Sequence, residues 1–71
     1  MRSYITPKQK EVLFFLREGL QNKQIAYKMG VSIAAVKQHL QGLYQRLQVN
    51  SRLSALIKAQ RLGLVDLEPG E

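Results

Sequence analysis

Apolar residues recur along the chain at helical spacing, in four groups separated by turn-forming residues. In the first group, Val12, Leu13, Phe15 and Leu16 share one arc at about 100° per residue, which predicts a helix over roughly residues 7–18. Thr6 caps it, Pro7 suits the first helical position, and Gln9 completes a Thr-x-x-Gln capping box. Gly19 supplies a left-handed stop. Phe14 points away from Val12 and is expected at the surface.

A short second helix is predicted over 23–29, with Asn22 as cap, Ile25, Ala26 and Met29 as inner stripe, and Gly30 at its end. Only Val31 and Ser32 separate Gly30 from the next helix, which Ser32 caps. Two helices joined so tightly cannot fold back antiparallel; they must cross, as in a helix-turn-helix. Ala26 allows the close approach, and Gly30 takes the positive φ of the turn at little cost.

The third helix is predicted over 33–47, roughly 22 Å long. Leu40, Leu43 and Leu47 fall within about 40° of Val36 and form with it a narrow core stripe. The opposite face holds Ala34, Gln38, Gln41 and Gln45, with Lys37 on its flank and no acid. A solvated helix more often alternates Glu with Lys. Amides that both donate and accept, beside a lysine, suit the edges of bases in a major groove.

Val49 and Asn50 make the next turn, Ser51 caps a fourth helix over about 52–62, and Gly63 stops it. Its apolar arc is too wide for one contact: Ala55, Ala59 and Leu62 form one side, Leu53 and Ile57 the other, with Leu56 between. A helix at the edge of so small a domain buries about one stripe. The second stripe predicts a partner helix, the same helix of another copy.

No segment alternates long enough for a strand, so the fold class is all-α. The 71 residues make one small domain, read as residues 1–65 followed by an acidic flexible tail over 66–71. Lys and Arg number 11 against 5 acids, a net charge of +6. Asp66, Glu68 and Glu71 lie in the last six residues, so residues 1–65 set eleven basic groups against Glu11 and Glu18, a net of +9. Such a body attracts polyanions, nucleic acid first. The longest apolar run, Val12 to Leu16, is far too short to span a bilayer, and the N-terminus has no signal-peptide pattern. A soluble cytoplasmic domain without a membrane partner is expected.

Little here supports catalysis. There is no Cys, a single His and no Gly-rich phosphate loop, which predicts no metal site, no cofactor and no enzyme activity. His39 lies about 60° from the core stripe and has no Ser, Cys or Asp at a suggestive spacing; a half-buried structural histidine is expected. Glu11 and Glu18 share a face seven residues apart, with nothing to pair them as acid and base; Glu11 is read as an ion-pair partner or a solvated group.

From Ile5 to Leu64 the chain resembles the LuxR-type (GerE-like) helix-turn-helix of bacterial transcription regulators, including the effector domains of NarL/FixJ-type response regulators. The resemblance is carried by Thr6-Pro7 leading to Glu11-Val12-Leu13, Glu18-Gly19-Leu20, and Asn22-Lys23-Gln24-Ile25-Ala26. It continues through Met29-Gly30-Val31-Ser32, Val36-Lys37, His39-Leu40, Leu43-Tyr44-Gln45-Arg46-Leu47, Val49, Ser51-Arg52 and Ala55. It implies a four-helix domain that binds double-stranded DNA, with the third helix in the major groove and the fourth helix forming a homodimer on DNA. By position it implies Lys37, Gln38 and Gln41 as base contacts, Lys23, Ser32, His39 and Gln45 as backbone contacts, and Leu53 and Ile57 as dimer contacts. It also admits RNA polymerase as a partner. Four positions depart from the pattern. Ala35 stands where a Thr is usual, Leu53-Ser54 where a Thr-Glu pair is usual, and Gln41 is uncharged where some members carry Lys.

Two other functions fit parts of the sequence. An interaction module would bind and modulate another regulator through its apolar fourth helix; the charge of the body argues against it. Region four of a sigma factor shares the helix-turn-helix and the charge, but fits the Thr-Pro and Ser-Arg landmarks less well.

Overall fold

The computed structural model describes residues 5–66. Of the expected acidic tail, 67–71 lie outside the described residues, and Asp66 is exposed. The chain forms four helices, α1 (Pro7–Arg17), α2 (Asn22–Met29), α3 (Ile33–Leu47) and α4 (Arg52–Arg61), with no strand among the described residues.

The starts of three helices follow the expected chemistry. Thr6 Oγ1 accepts from the Gln9 backbone N–H, and Gln9 Oε1 accepts from the Thr6 N–H, both at 3.1 Å. Ser32 Oγ accepts from Ala35 N–H at 3.0 Å, and Ser51 Oγ from Ser54 N–H at 3.1 Å. α2 departs from expectation. It begins one residue early, and Gln21, not Asn22, is its cap. The Gln21 N–H donates to Gln24 Oε1 at 2.8 Å. Asn22 is drawn off because its side-chain oxygen accepts from Arg52 of α4.

All four helices end in one hydrogen-bond pattern, the Schellman closure. At each end one residue, Gly19, Gly30, Gln48 or Gly63, takes a left-handed conformation, and its N–H bonds to the carbonyl three residues earlier. The next N–H bonds to a carbonyl five residues earlier. These six-to-one bonds are Leu20 N–H to Phe15 O (3.1 Å), Val31 to Ala26 (3.0 Å), Val49 to Tyr44 (2.9 Å) and Leu64 to Ala59 (2.8 Å). Each donor is an apolar residue that packs against the core. At three ends the left-handed residue is glycine, where a missing Cβ removes the steric penalty. At the end of α3 it is Gln48, with φ 59°, a turn position the sequence pattern did not reveal.

α3 is the centre of the packing. It contacts α1, α2 and α4, and α4 also packs on α1. The core combines Ile5 with Val12, Leu13 and Leu16 of α1, Ile25 and Ala26 of α2, Val36, Leu40, Leu43 and Leu47 of α3, and Ala55 and Ala59 of α4. Phe15, Met29 and Leu56 are half-buried against it. No polar side chain is buried among the described residues, so the core rests on apolar contact alone. The two alanines let α4 approach closely, with its larger side chains turned elsewhere.

One expected core residue is not in the core. Leu62 is 43% exposed. Its angular position matches Ala55 and Ala59, and its N–H still bonds the Lys58 carbonyl, but it is the cap residue of α4, and the chain reverses at Gly63 directly after it. Leu64, brought back by the closing bond to Ala59, packs there instead. Phe14 is exposed as expected and meets Phe15 edge-on, with ring centroids 5.6 Å apart.

Candidate nucleic-acid interface

The core stripe of α3 fixes what its other side presents. With Val36, Leu40, Leu43 and Leu47 buried, Ala34, Lys37, Gln38, Gln41 and Gln45 all stand exposed. Lys37 and Gln41 share a shallow open groove of about 460 Å³ with Asn22, Leu40, Tyr44 and Arg52. Gln38, one residue round the helix from Lys37, is not part of that groove. The first residues of α2 and α4, Asn22 and Arg52, both stand on its rim.

The other expected contacts surround this face. Lys23 is exposed in the first turn of α2. Ser32 is exposed at the start of α3, with its oxygen already accepting the capping bond and its hydroxyl proton left to donate. His39 is half-buried, and Gln45 is exposed two turns along from Gln38. On α4, Leu53 is 67% and Ile57 46% exposed, whereas Ala55 and Ala59 are fully covered. The two stripes inferred for that helix are therefore distinct in space, Leu62 excepted.

The electrostatics are one-sided. From Gly19 to Val65 the chain contains no Asp or Glu, while Lys23, Lys28, Lys37, Arg46, Arg52, Lys58 and Arg61 all fall there. No helix carries an acid in its first turn. The positive ends of the α2, α3 and α4 dipoles are thus uncompensated by side chains, an arrangement that favours anions. The acids of the body sit apart on α1, where Glu11 pairs with Lys8 at 3.8 Å and Glu18 with Arg17 at 2.7 Å. This acid-free run was readable from sequence and is a broader signal than the α3 face alone.

Arg52 was not singled out by spacing. Its Nη1 donates to the Leu20 carbonyl at 3.0 Å and its Nη2 to Asn22 Oδ1 at 2.8 Å. These acceptors lie 32 and 30 residues away, so no local pattern could announce them. Among the described residues no group of three His, Cys, Asp or Glu could hold a metal, and no helix is long and apolar enough to cross a membrane.

The arrangement has known counterparts. The family model for bacterial regulatory proteins of the luxR family matches residues 3–59. The HTH-type transcriptional regulator AlkS of Pseudomonas putida is 44% identical over 62 residues, covering 87% of this chain and 7% of AlkS. The nitrate/nitrite response regulator protein NarP of Escherichia coli (strain K12) is 42% identical over 55 residues, covering 78% of this chain and 26% of NarP. The chain thus spans only a small part of these relatives. Among solved structures, the transcription factor GerE superposes with a TM-score of 0.86 at 28% identity, over 94% of this chain and all of GerE. The response regulator ChrA of a heme-sensing two-component system superposes with a TM-score of 0.84 at 35% identity, over 92% of this chain and 32% of ChrA.

Proposed function

The chain belongs to the luxR family of bacterial regulatory proteins, and from that premise we propose that it binds double-stranded DNA in a sequence-dependent way to regulate transcription. The observation that carries the reading is the exposed, acid-free face of α3, held out by a helix-turn-helix and bearing Lys37, Gln38, Gln41 and Gln45. In this reading α3 enters the major groove. Lys37, Gln38 and Gln41 meet base edges, where lysine donates to guanine and glutamine bonds adenine through both of its amide atoms. Lys23, Ser32, His39 and Gln45 face the sugar-phosphate backbone, setting register without carrying sequence. Two-fold pairing of α4 through Leu53 and Ile57 places two α3 helices on one side of the duplex. The preferred site is then an inverted repeat with half-sites about one helical turn apart.

The test is a titration of duplex DNA at several salt concentrations. If about four to six phosphates are neutralised per protomer, log K falls against log salt with a slope of about −4 to −5. A slope near zero overturns the reading. Leu53, the most exposed aliphatic side chain of α4, also favours a second reading, an interaction module that captures another regulator. That module would bind duplex DNA feebly and without the steep salt dependence.

A further inference from the structure

We propose that Arg52 is a positioning residue, a polar strut that fixes the start of α4 against the start of the helix-turn-helix, so that recognition helix and pairing helix act as one rigid body. The inference rests on the reading above, DNA binding by an α4-paired dimer. It starts from a gap in the packing. α2 and α4 each lie against α3 but share no broad face with each other. The Arg52 fork spans that gap, reaching the Leu20 carbonyl and the Asn22 side chain together.

Both acceptors are themselves held. The Leu20 N–H closes α1 on the Phe15 carbonyl, and its side chain packs against the core. Asn22 is the first residue of α2. On the donor side, Arg52 is the first residue of α4, anchored by the Ser51 cap. The two bonds therefore join the starts of two helices through the end of a third. Neither acceptor is charged, and the planar guanidinium meets each with a separate nitrogen held in a rigid fork. A lysine would keep the charge and lose the fork. The strut also stands on the rim of the groove that holds Lys37 and Gln41. If α4 swung about its start, the angle between the two α3 helices of a dimer would change, and with it the half-site spacing that the dimer accepts.

The competing role is a direct phosphate contact, and the variants separate the two. The full chain is compared with Asn22→Ala, Arg52→Lys and Arg52→Ala by two measurements. The first is amide hydrogen exchange without DNA. The second is binding to a half-site and to inverted repeats whose spacing is varied base pair by base pair, using sequences selected from random duplex. A strut predicts faster exchange in the first turn of α4 and around residues 20–22 in all three variants. Half-site affinity should hold within about twofold for Asn22→Ala and Arg52→Lys. Preference for the best spacing should fall by at least about fivefold. Asn22→Ala decides the matter even if Arg52→Ala fails to fold, because it removes one acceptor and no charge. The proposal is overturned if Arg52→Lys behaves as the parent in both measurements, or if Asn22→Ala is silent in both. It is also overturned if half-site and inverted-repeat affinities fall together. A parent chain with no spacing preference overturns the α4-paired dimer instead, and the exchange measurement then still decides the strut.

Discussion

Replacing Ile57 by Asp separates the core of α4 from its pairing face, because the two lie two residues apart. Ile57 is 46% exposed, so only about half of its side chain is withdrawn from water. Full burial of such a side chain stabilises by about 1.5–3 kcal/mol, so its loss from the protomer costs about 1 kcal/mol. The new carboxylate has Arg61 one turn on, which returns roughly 0.2–0.5 kcal/mol. The net loss of about 0.5–0.8 kcal/mol should lower the melting temperature by only about 2–6 °C in a domain of this size. Across a two-fold contact the balance differs. Two carboxylates face one another in place of two apolar side chains, and like charges brought together at an interface cost several kcal/mol. Taking about 3 kcal/mol, cooperativity on an inverted repeat falls by over about a hundredfold.

Two companions calibrate the result. Ala59→Asp places a charge at a fully buried position and should unfold the domain outright. Leu53→Asp alters a side chain that is 67% exposed in the first turn of α4, where an acid is favoured by the helix dipole. It should hold or raise the melting temperature and still abolish cooperativity. The assays are a thermal melt by circular dichroism and a mobility shift on matched half-site and inverted-repeat duplexes. If Ile57→Asp melts the protein as Ala59→Asp does, Ile57 is a core residue and the division of α4 is wrong. If Ile57→Asp and Leu53→Asp leave both folding and cooperativity intact, α4 is not the pairing surface.

Lys37→Ala and Gln41→Ala should each cost on the order of 1–3 kcal/mol on the preferred site and much less on random duplex, whereas Lys23→Ala should weaken both alike. Equal losses on all sequences for Lys37 and Gln41 would remove α3 as the reading helix. Gln48→Gly should raise stability by about 0.5–1 kcal/mol, since relief of the left-handed strain exceeds the added freedom of the unfolded chain. Gln48→Val should lower stability, and a urea titration that ranks Val above Gly would refute the closure assigned to α3. Leu43→Ala empties a fully buried position and should cost about 2–5 kcal/mol, a large share of the roughly 4–10 kcal/mol expected for a chain this long; a small change would show that α3 is not the centre of the core.

The helices and the interior were legible because both follow from repetition. One buried stripe per helix at a period near 3.6 residues identifies Val36, Leu40, Leu43 and Leu47 wherever the helix packs. Caps such as Thr6, Ser32 and Ser51 are local as well, three residues from the amides they satisfy. The misreadings fall where a distant partner or the closure of a helix end outweighs local preference. Asn22 is a better cap than Gln21 by residue type. In the fold, however, its oxygen bonds Arg52, and the Gln21–Gln24 pair closes α2 instead. Leu62 has the right angle for the core but caps the end of α4, where Leu64, returned by the Gly63 turn, packs against the core instead. Gln48 gave no sign because its conformation is imposed by the Val49–Tyr44 bond and the packing of Val49, not by its own preference.

For the candidate site, residue types on an exposed face could be read from sequence, but the rigidity behind them could not. An exposed face is what remains when the core stripe is removed, so Lys37, Gln38, Gln41 and Gln45 were found by subtraction. The charge follows in the same way, from a run of forty-seven residues (19–65) without an acid. Both properties survive any small error in how the helices sit. The proposed base reading does not, because a displacement of about 1 Å loses a hydrogen bond to a base edge. What holds that tolerance here is a set of directed polar contacts: four helix-closing bonds, each backed by an apolar side chain in the core, and the Arg52 fork across the gap between α2 and α4. They engage carbonyls, amides and a side-chain oxygen, and none consumes the positive charge of the face. The acid-free surface therefore stays open to an anion while the framework beneath it is already fixed, so ordering that framework adds little to the cost of binding.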